Sequence, residues 1–427
     1  MTRDQPIVIT GLGVVTPIGT SVQEFGHALR TGRSGITRWK RTYADRYSQI
    51  GGDMSDFDLN AYLAQVGADY PSTLVKSARK ALRATPQSGQ LTTIAALQAY
   101  VDACLSKSAL PAERCAHILA GHNLNSPYIY ENNVIFEREP EYIDPLYGIL
   151  YLDTDILAVI AQILNLRGPC FSVGGACASG NLALLAAIDL LRAGRADVAV
   201  VTGGACPLGP VTRQGWAMIG ALSIKSFNNA PEQASRPFDV RREGFVPSEG
   251  AAAVVLETLE SAQARGAGIY AYLLGAASTC NASRLTHPDH AAQVRVMQDA
   301  LTDAGVQPRQ IDYINAHATS TPAGDAAEVA AIKTVLGAHA YRIPVNATKS
   351  LVGHCLTSAA IVELVATVIQ MQHSFVHPTL NLTEPDPELN LDFVPHTAQS
   401  HTIHYALSNA FGFGGLNASV VVGRGDR

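Results

Sequence analysis

Four short stretches of this 427-residue chain combine residue types that could do covalent chemistry. In Val173-Gly-Gly-Ala-Cys177-Ala-Ser-Gly-Asn181, small residues flank a cysteine just before an apolar helical pattern at 181–193. Such a stretch permits a sharp strand-to-helix turn of the nucleophile-elbow kind. A cysteine there meets a helix N-terminus, whose dipole and free amides favour thiolate, and its own N–H is free to donate to an oxyanion. The same residues suit a buried structural thiol in a tight helix start, so both readings stand. In Asn315-Ala-His317-Ala-Thr319-Ser-Thr321, the histidine follows a strand-like run at 311–315. C-terminal strand ends in α/β sheets face the ligand crevice. His317 could therefore donate to a carbonyl while Thr319 and Thr321 hold an amide-bearing ligand; a histidine satisfied by its own loop is the plainer alternative. Asp325 and Glu328 read as a helix N-cap with structural duty.

The third stretch, Asn346-Ala-Thr-Lys349-Ser-Leu-Val-Gly-His354, precedes a helical pattern at 359–372 that carries Glu363. Lys349 could be a surface lysine and Glu363 a solvated carboxylate, yet Lys, Gly and His between a strand and an apolar helix make a poor solvent loop. The fourth, Asn409-Ala-Phe411-Gly412-Phe413-Gly414-Gly415, sets three glycines among two phenylalanines. That suits a mobile loop whose backbone N–H groups approach a ligand, or a plain turn between strands.

The elements that must position these residues alternate along the chain. Apolar strand-like runs occur at 7–10, ending in a glycine turn at 11–13, and at 197–202, 251–257, 270–274, 343–346, 405–409 and 418–422, with helical patterns between. This alternation predicts an α/β fold with mainly parallel, two-sided sheets. A polar, glycine-containing connector at 261–268 places a boundary near 259, dividing the chain into 1–258 and 259–427. No internal repeat is legible. The segment 123–151, rich in Tyr, Glu, Asn and Pro, reads as an insertion over the sheet, a subunit contact or a pocket lid.

Composition narrows the function classes. Only 16% of residues are charged, the formal net charge is −5, and 47% are hydrophobic. No basic excess exists to neutralise phosphates, so nucleic acid is not an expected partner; so little charge suggests surface buried in an oligomer. The opening run Met1-Thr-Arg-Asp-Gln-Pro6 lacks the apolar core of a secretory signal, and no stretch approaches the ~18 apolar residues of a spanning helix. Seven cysteines, at 104, 115, 170, 177, 206, 280 and 355, form no C-x-x-C pair. They read mostly as small buried hydrophobes in a reducing cytoplasm, not as a disulfide framework or zinc ribbon.

Taken together the motifs resemble one family, the β-ketoacyl synthases of fatty-acid and polyketide assembly, nearly end to end. Val8-Ile-Thr-Gly-Leu-Gly13, Arg236-Pro-Phe-Asp239 and Gly244-Phe-Val-Pro-Ser-Glu-Gly250 join the four stretches, in order, and Asn417 closes the set. The resemblance implies the thiolase fold, two related α/β halves in five αβαβα layers, normally a homodimer. It implies that Cys177 accepts an acyl group, that His317 and His354 polarise a malonyl thioester as carbon dioxide leaves, and that Lys349 and Glu363 support them. The amides of Cys177 and Phe413 would form an oxyanion hole with Phe413 as a gate. Thr319 and Thr321 would contact the phosphopantetheine arm of an acyl carrier protein, and Phe411, Gly412 and Gly414 would complete the substrate site. No metal and no separate cofactor is implied.

Three positions depart from the family's usual pattern: Ala318 for Gly, Thr357-Ser358 for Gly-Ala, and Leu416 for Thr. None removes a catalytic group. The segment 123–151 also resembles discrete polyketide synthases acting in trans, some of which only decarboxylate malonyl-carrier protein and typically carry Ser in place of the cysteine. Retention of Cys177 points to condensation over that alternative, and further still from a noncatalytic chain-length partner subunit.

Overall fold

The computed structural model describes residues 5–41, 48–283 and 287–425, so the first four residues of the opening run lie outside it. Ten strands form one sheet: β1 (Ile7–Val15), β2 (Cys115–Ala120), β3 (Cys170–Val173), β4 (Val198–Gly203), β5 (Ala251–Thr258), β6 (Ala271–Cys280), β7 (Tyr313–Asn315), β8 (Val345–Asn346), β9 (Tyr405–Gly412) and β10 (Leu416–Arg424). Their spatial order is β8-β7-β9-β10-β6-β1-β5-β4-β2-β3. From the centre outward, β1-β5-β4-β2-β3 and β6-β10-β9-β7-β8 trace one path twice. A short antiparallel pairing, Ile7↔Leu273 to Ile9↔Ala271, joins the two halves.

The expectation of mainly parallel pairing needs correction. Four neighbouring pairs are parallel and five antiparallel. The cause is local: β9 and β10 are hairpin partners, and the long connection after β4 returns to the same end of the sheet, pairing Gly203 with Ala252. Only strands joined through a helix across the sheet must run parallel.

The helices that matter are α1 (Gln87–Asp102), α2 (Ser126–Arg138), α3 (Asp153–Leu164), α4 (Ser179–Arg192), α5 (Pro210–Met218), α6 (His290–Ala304), α7 (Pro322–Leu336) and α8 (Ala359–His373). Helices α4 and α8 share one apolar core with the facing sides of both half-sheets. Helices α1 and α3 cover the outer face of the first half, and α6 and α7 that of the second. The result is five layers, with α8 buried on every side from Ala359 to Met371, as a helix apolar all round must be. Among the described residues no helix is long and apolar enough to cross a membrane.

Gly11 and Gly13 do not make a turn; β1 runs straight through them to Val15. Their role is close approach. A Cβ on Gly11 would lie 2.2 Å from the Ala99 carbonyl oxygen of α1, and one on Gly13 would lie 2.0 Å from that of Ala95. The connector at 261–268 also begins as helix, Leu259–Ala264, because Thr258 caps it by accepting the Ser261 N–H at 3.1 Å. Of the cysteines only Cys115, Cys206 and Cys355 are buried, while Cys104, Cys170 and Cys280 are exposed. Cys170 belongs to β3, an edge strand left largely uncovered.

Gly13→Val should therefore lose about 3 kcal/mol or more of stability in urea denaturation, since backbone cannot yield to the new side chain. Gly67→Ala, where an added Cβ meets nothing within 4 Å, should change stability by less than about 0.5 kcal/mol. Equal effects at the two sites would contradict the packing account.

Candidate active site

Cys177 sits in the short connection from β3 to α4, within a single 3-10 turn, Ala176–Ala178. Ala176 takes φ 49°, a region costly to any residue with a Cβ, and such strain clusters at functional turns. Ser179 ties the turn down: its Oγ accepts the Gly175 N–H at 2.8 Å and donates to the Ala176 carbonyl at 2.7 Å. The N–H groups of Phe413 and of Cys177 itself are directed at the sulfur. The helix-terminus argument alone predicts a lowered thiol pKa, and here it is overruled. Burial pushes the thiol up to about 11 against the charge of Lys349 and those two amides, so the resting group is a protonated thiol.

His354 lies in the β8-to-α8 connection, the corresponding place in the second half. Its Nε2 is 3.0 Å from the Cys177 sulfur. The Leu356 N–H donates to His354 Nδ1 at 3.2 Å, which assigns the imidazole proton to Nε2, facing the sulfur. The Gly244–Gly250 motif holds the backbone of this histidine: His354 N–H donates to Val246 at 2.7 Å, and Ser248 N–H donates to His354 at 2.9 Å. Phe245 packs edge-on against its ring at 5.2 Å.

His317 enters from the end of β7. Its ring stands 5.6 Å from that of His354 at 83° and 5.7 Å from that of Phe411. Burial, then the charge of Lys349, hold both imidazoles well below their ordinary range. Both are neutral and able to donate an N–H. His317 Nδ1 is buried without a hydrogen-bond partner among the described residues. The Cys177 sulfur and one nitrogen from each histidine lie within 4.8 Å of one another. A zinc ion could use three such donors with one position open, but the described residues supply no further ligand to that cluster.

Lys349 is neither a surface lysine nor Glu363 a solvated one. Both are 1% exposed and form an ion pair inside the protein. Asn315 joins them, donating to Glu363 at 3.4 Å and accepting from Thr348 at 3.1 Å. Burial raises the Glu363 carboxyl to about 6 even against the lysine charge.

Asp325 and Glu328 require a correction. The α7 N-cap is Thr321, because Pro322 occupies the first helical position, and the two acids lie deeper in the helix, fully buried. Glu328 accepts the N–H groups of His317 and Ala318, each at 2.8 Å, while Asp325 accepts those of Ser320 at 3.1 Å and Phe238 at 3.0 Å. The acids thus fasten the His317 loop, where Ala318 at φ 30° and Ser320 at φ 68° adopt conformations that favour glycine. Arg236, bonded to Asp239 at 2.9 Å, donates its backbone N–H to Ser320 at 3.1 Å. Reading the 325–328 pair by helix periodicity alone hid this role; burial, not spacing, reveals it.

The Phe411–Gly415 stretch is a hairpin, not a mobile loop: Phe411 pairs with Asn417 and Gly412 with Leu416. Gly412 is needed for packing, since a Cβ there would lie 2.7 Å from the Gly175 carbonyl oxygen and 3.2 Å from the Cys177 nitrogen. Gly414, at φ 83°, is exposed in the turn and borders no cavity described here. Two cavities meet at Cys177. One of about 310 Å³ is bordered by His317, His354, Thr319, Thr321, Phe411 and Gly412. The Thr319 and Thr321 hydroxyls stand 3.0 Å apart on its wall. The other, of about 160 Å³, lies past Phe413 and Phe245, which border both.

A five-layer sheet-and-helix sandwich of two like halves, with a cysteine from one and two neutral histidines from the other around a shared cavity, defines a thiolase-fold enzyme working on thioesters. The chain belongs to the beta-ketoacyl synthase family, matching that family's N-terminal domain over residues 4–262 and its C-terminal domain over 270–383. It is 37% identical to a 3-oxoacyl-[acyl-carrier-protein] synthase 2 of Synechocystis sp., covering 97% of each chain. It is 36% identical to the protein of that name in Coxiella burnetii, covering 98% of each. Among solved structures it is similar to a type II polyketide ketosynthase captured with its acyl-carrier protein, with TM-score 0.86, 30% identity, and coverage of 99% of this chain and 100% of that one.

Lys349→Met leaves the Glu363 carboxylate buried and facing only Asn315. It should cost about 3–5 kcal/mol in chemical denaturation, with Lys349→Met/Glu363→Leu recovering most of that loss. A double variant no more stable than the single one would contradict the ion-pair account.

Proposed function

We propose that this chain condenses an acyl group, held as a thioester on Cys177, with malonyl-acyl carrier protein, and that His317 and His354 drive the decarboxylation. The approach of His354 Nε2 to the Cys177 sulfur, 3.0 Å, carries this reading.

In the first half-reaction the Cys177 sulfur attacks the thioester carbonyl of an acyl carrier arm. The negative oxygen that forms is met by the N–H groups of Cys177 and Phe413. The carrier thiolate then leaves and takes up the proton lost by Cys177, and the acyl group stays on the enzyme. In the second, malonyl-carrier protein loses its carboxylate as carbon dioxide, and the electron pair moves onto the thioester oxygen. His354, with its proton on Nε2, donates to that oxygen, and His317 does likewise. Neutral imidazoles suit the task because neither must first acquire a proton. The resulting carbanion attacks the Cys177 thioester, forming the carbon–carbon bond and releasing the sulfur. Lys349 and Glu363 hold the field that keeps the histidines neutral. Thr319 and Thr321 bind the amides of the phosphopantetheine arm, Phe411 and Gly412 shape its path, and Phe413 gates the route to the smaller cavity. No step requires a metal, and chelation should leave activity unchanged.

Cys177→Ala should yield no β-ketoacyl product by mass spectrometry while still releasing carbon dioxide from malonyl-carrier protein. His354→Ala should slow that release by about 10²–10³-fold. Condensation by Cys177→Ala would sink the assignment of the sulfur. A decarboxylase without condensing activity would instead give acetyl-carrier protein alone from the unaltered protein.

The acting form is a homodimer. The uncovered edge strand β3 supports this, as does the surface that presents Phe136, Tyr142, Ile149 and Leu152, 56%, 69%, 57% and 39% exposed; unpaired edges and large apolar patches mark association sites. Sedimentation should give twice the 45.2 kDa chain mass, and Phe171→Arg on β3 should shift the protein toward monomer. Monomeric protein at micromolar concentration with full activity would overturn the dimer.

A further inference from the structure

The smaller cavity beside Cys177 says what kind of acyl group the enzyme accepts. This rests on the acyl-enzyme reading above and deepens it. The cavity, about 160 Å³, is walled by Cys206, Leu208, Trp216, Phe245, Leu356 and Phe413. Trp216, on α5, meets Phe245 edge-on at 5.7 Å and Phe413 at 6.3 Å, so three aromatic rings brace one wall. Thr357 also borders the space. Its hydroxyl is engaged with the Gly204 carbonyl at 3.2 Å, so it adds bulk and offers no free donor. Beyond these walls the boundary turns polar at Asn123, Ser126 and Thr212, with His122 exposed beside them.

An apolar cavity of ~150 Å³ accommodates benzene, about six carbons. We propose that this chain selects short, unsubstituted acyl groups of about six carbons, and that Trp216 and Thr357 set the limit. A longer alkyl chain must displace Trp216 or push its end against the polar rim, and both lose the apolar burial that rewards a fitting chain. A polar or carboxylated acyl end finds no buried cation or free donor along the apolar wall.

The test measures the rate at which the protein gains acyl mass on Cys177 from carrier proteins bearing straight chains of about two to about fourteen carbons. Loading should peak near about six carbons and fall by about tenfold or more for each methylene past the limit, within the ~10–200-fold that one methylene commands. Trp216→Ala should raise the ratio of ten-carbon to six-carbon loading by about tenfold or more. Thr357→Gly should move the ratio in the same direction, and serves if the tryptophan variant does not fold. Loading independent of length in the unaltered protein, or an unchanged ratio in a folded variant, would overturn the proposal. No adduct on Cys177 at any length would instead remove the acyl-enzyme reading itself.

Discussion

Two central helices meet at their first turns, and the rest of the site depends on how closely they do so. A Cβ on Gly180 of α4 would lie 2.7 Å from the Ala360 side chain of α8, and one on Gly203 would lie 2.8 Å from that of Ser358. Only small residues allow this contact. It brings two helix N-termini, with their unpaired amides and positive dipole ends, to one point between the half-sheets. The turn before each helix has the same backbone form: Ala176 at φ 49° precedes α4, and Leu356 at φ 55° precedes α8. Cys177 follows the first of these residues and His354 precedes the second by two, so the duplicated fold places a sulfur and an imidazole face to face.

The electrostatics follow from burial. A carboxylate near the histidines would favour their charged forms, whereas a lysine disfavours them. Lys349 supplies that positive charge, and Glu363, on the far side of it, keeps the lysine from being an unpaired buried ion. The cost is borne by Cys177, whose thiol stays protonated at rest despite the same lysine and two directed amides. Such a sulfur resists adventitious oxidation, because the thiolate is the reactive form.

Much of this was legible in the sequence, and the failures share a cause. Cys177, His317 and His354 were marked by small-residue turns and strand ends, which are local features. Local pattern misled elsewhere. Gly11 and Gly13 looked like a turn because the helix that needs their missing side chains, α1, lies some eighty residues away in the chain. Asp325 and Glu328 looked like caps because their spacing fits one, yet their carboxylates serve a loop that precedes the helix. Phe411–Gly415 looked mobile from its glycines, but those glycines let a rigid hairpin lie against the Cys177 turn. In each case the partner that explains the residue belongs to another element.

The amino-acid order by itself determined the α/β character, the chemical identity of the reacting groups and the absence of a basic surface, since these depend on periodicity, residue type and charge. Tertiary structure alone decided that two halves without legible sequence likeness share one strand path. It also decided that Lys349 and Glu363 are buried partners and that the nucleophilic sulfur opens onto two cavities of different size. Those properties are distances between residues far apart in the chain, and a distance of that kind exists only once the layers have packed.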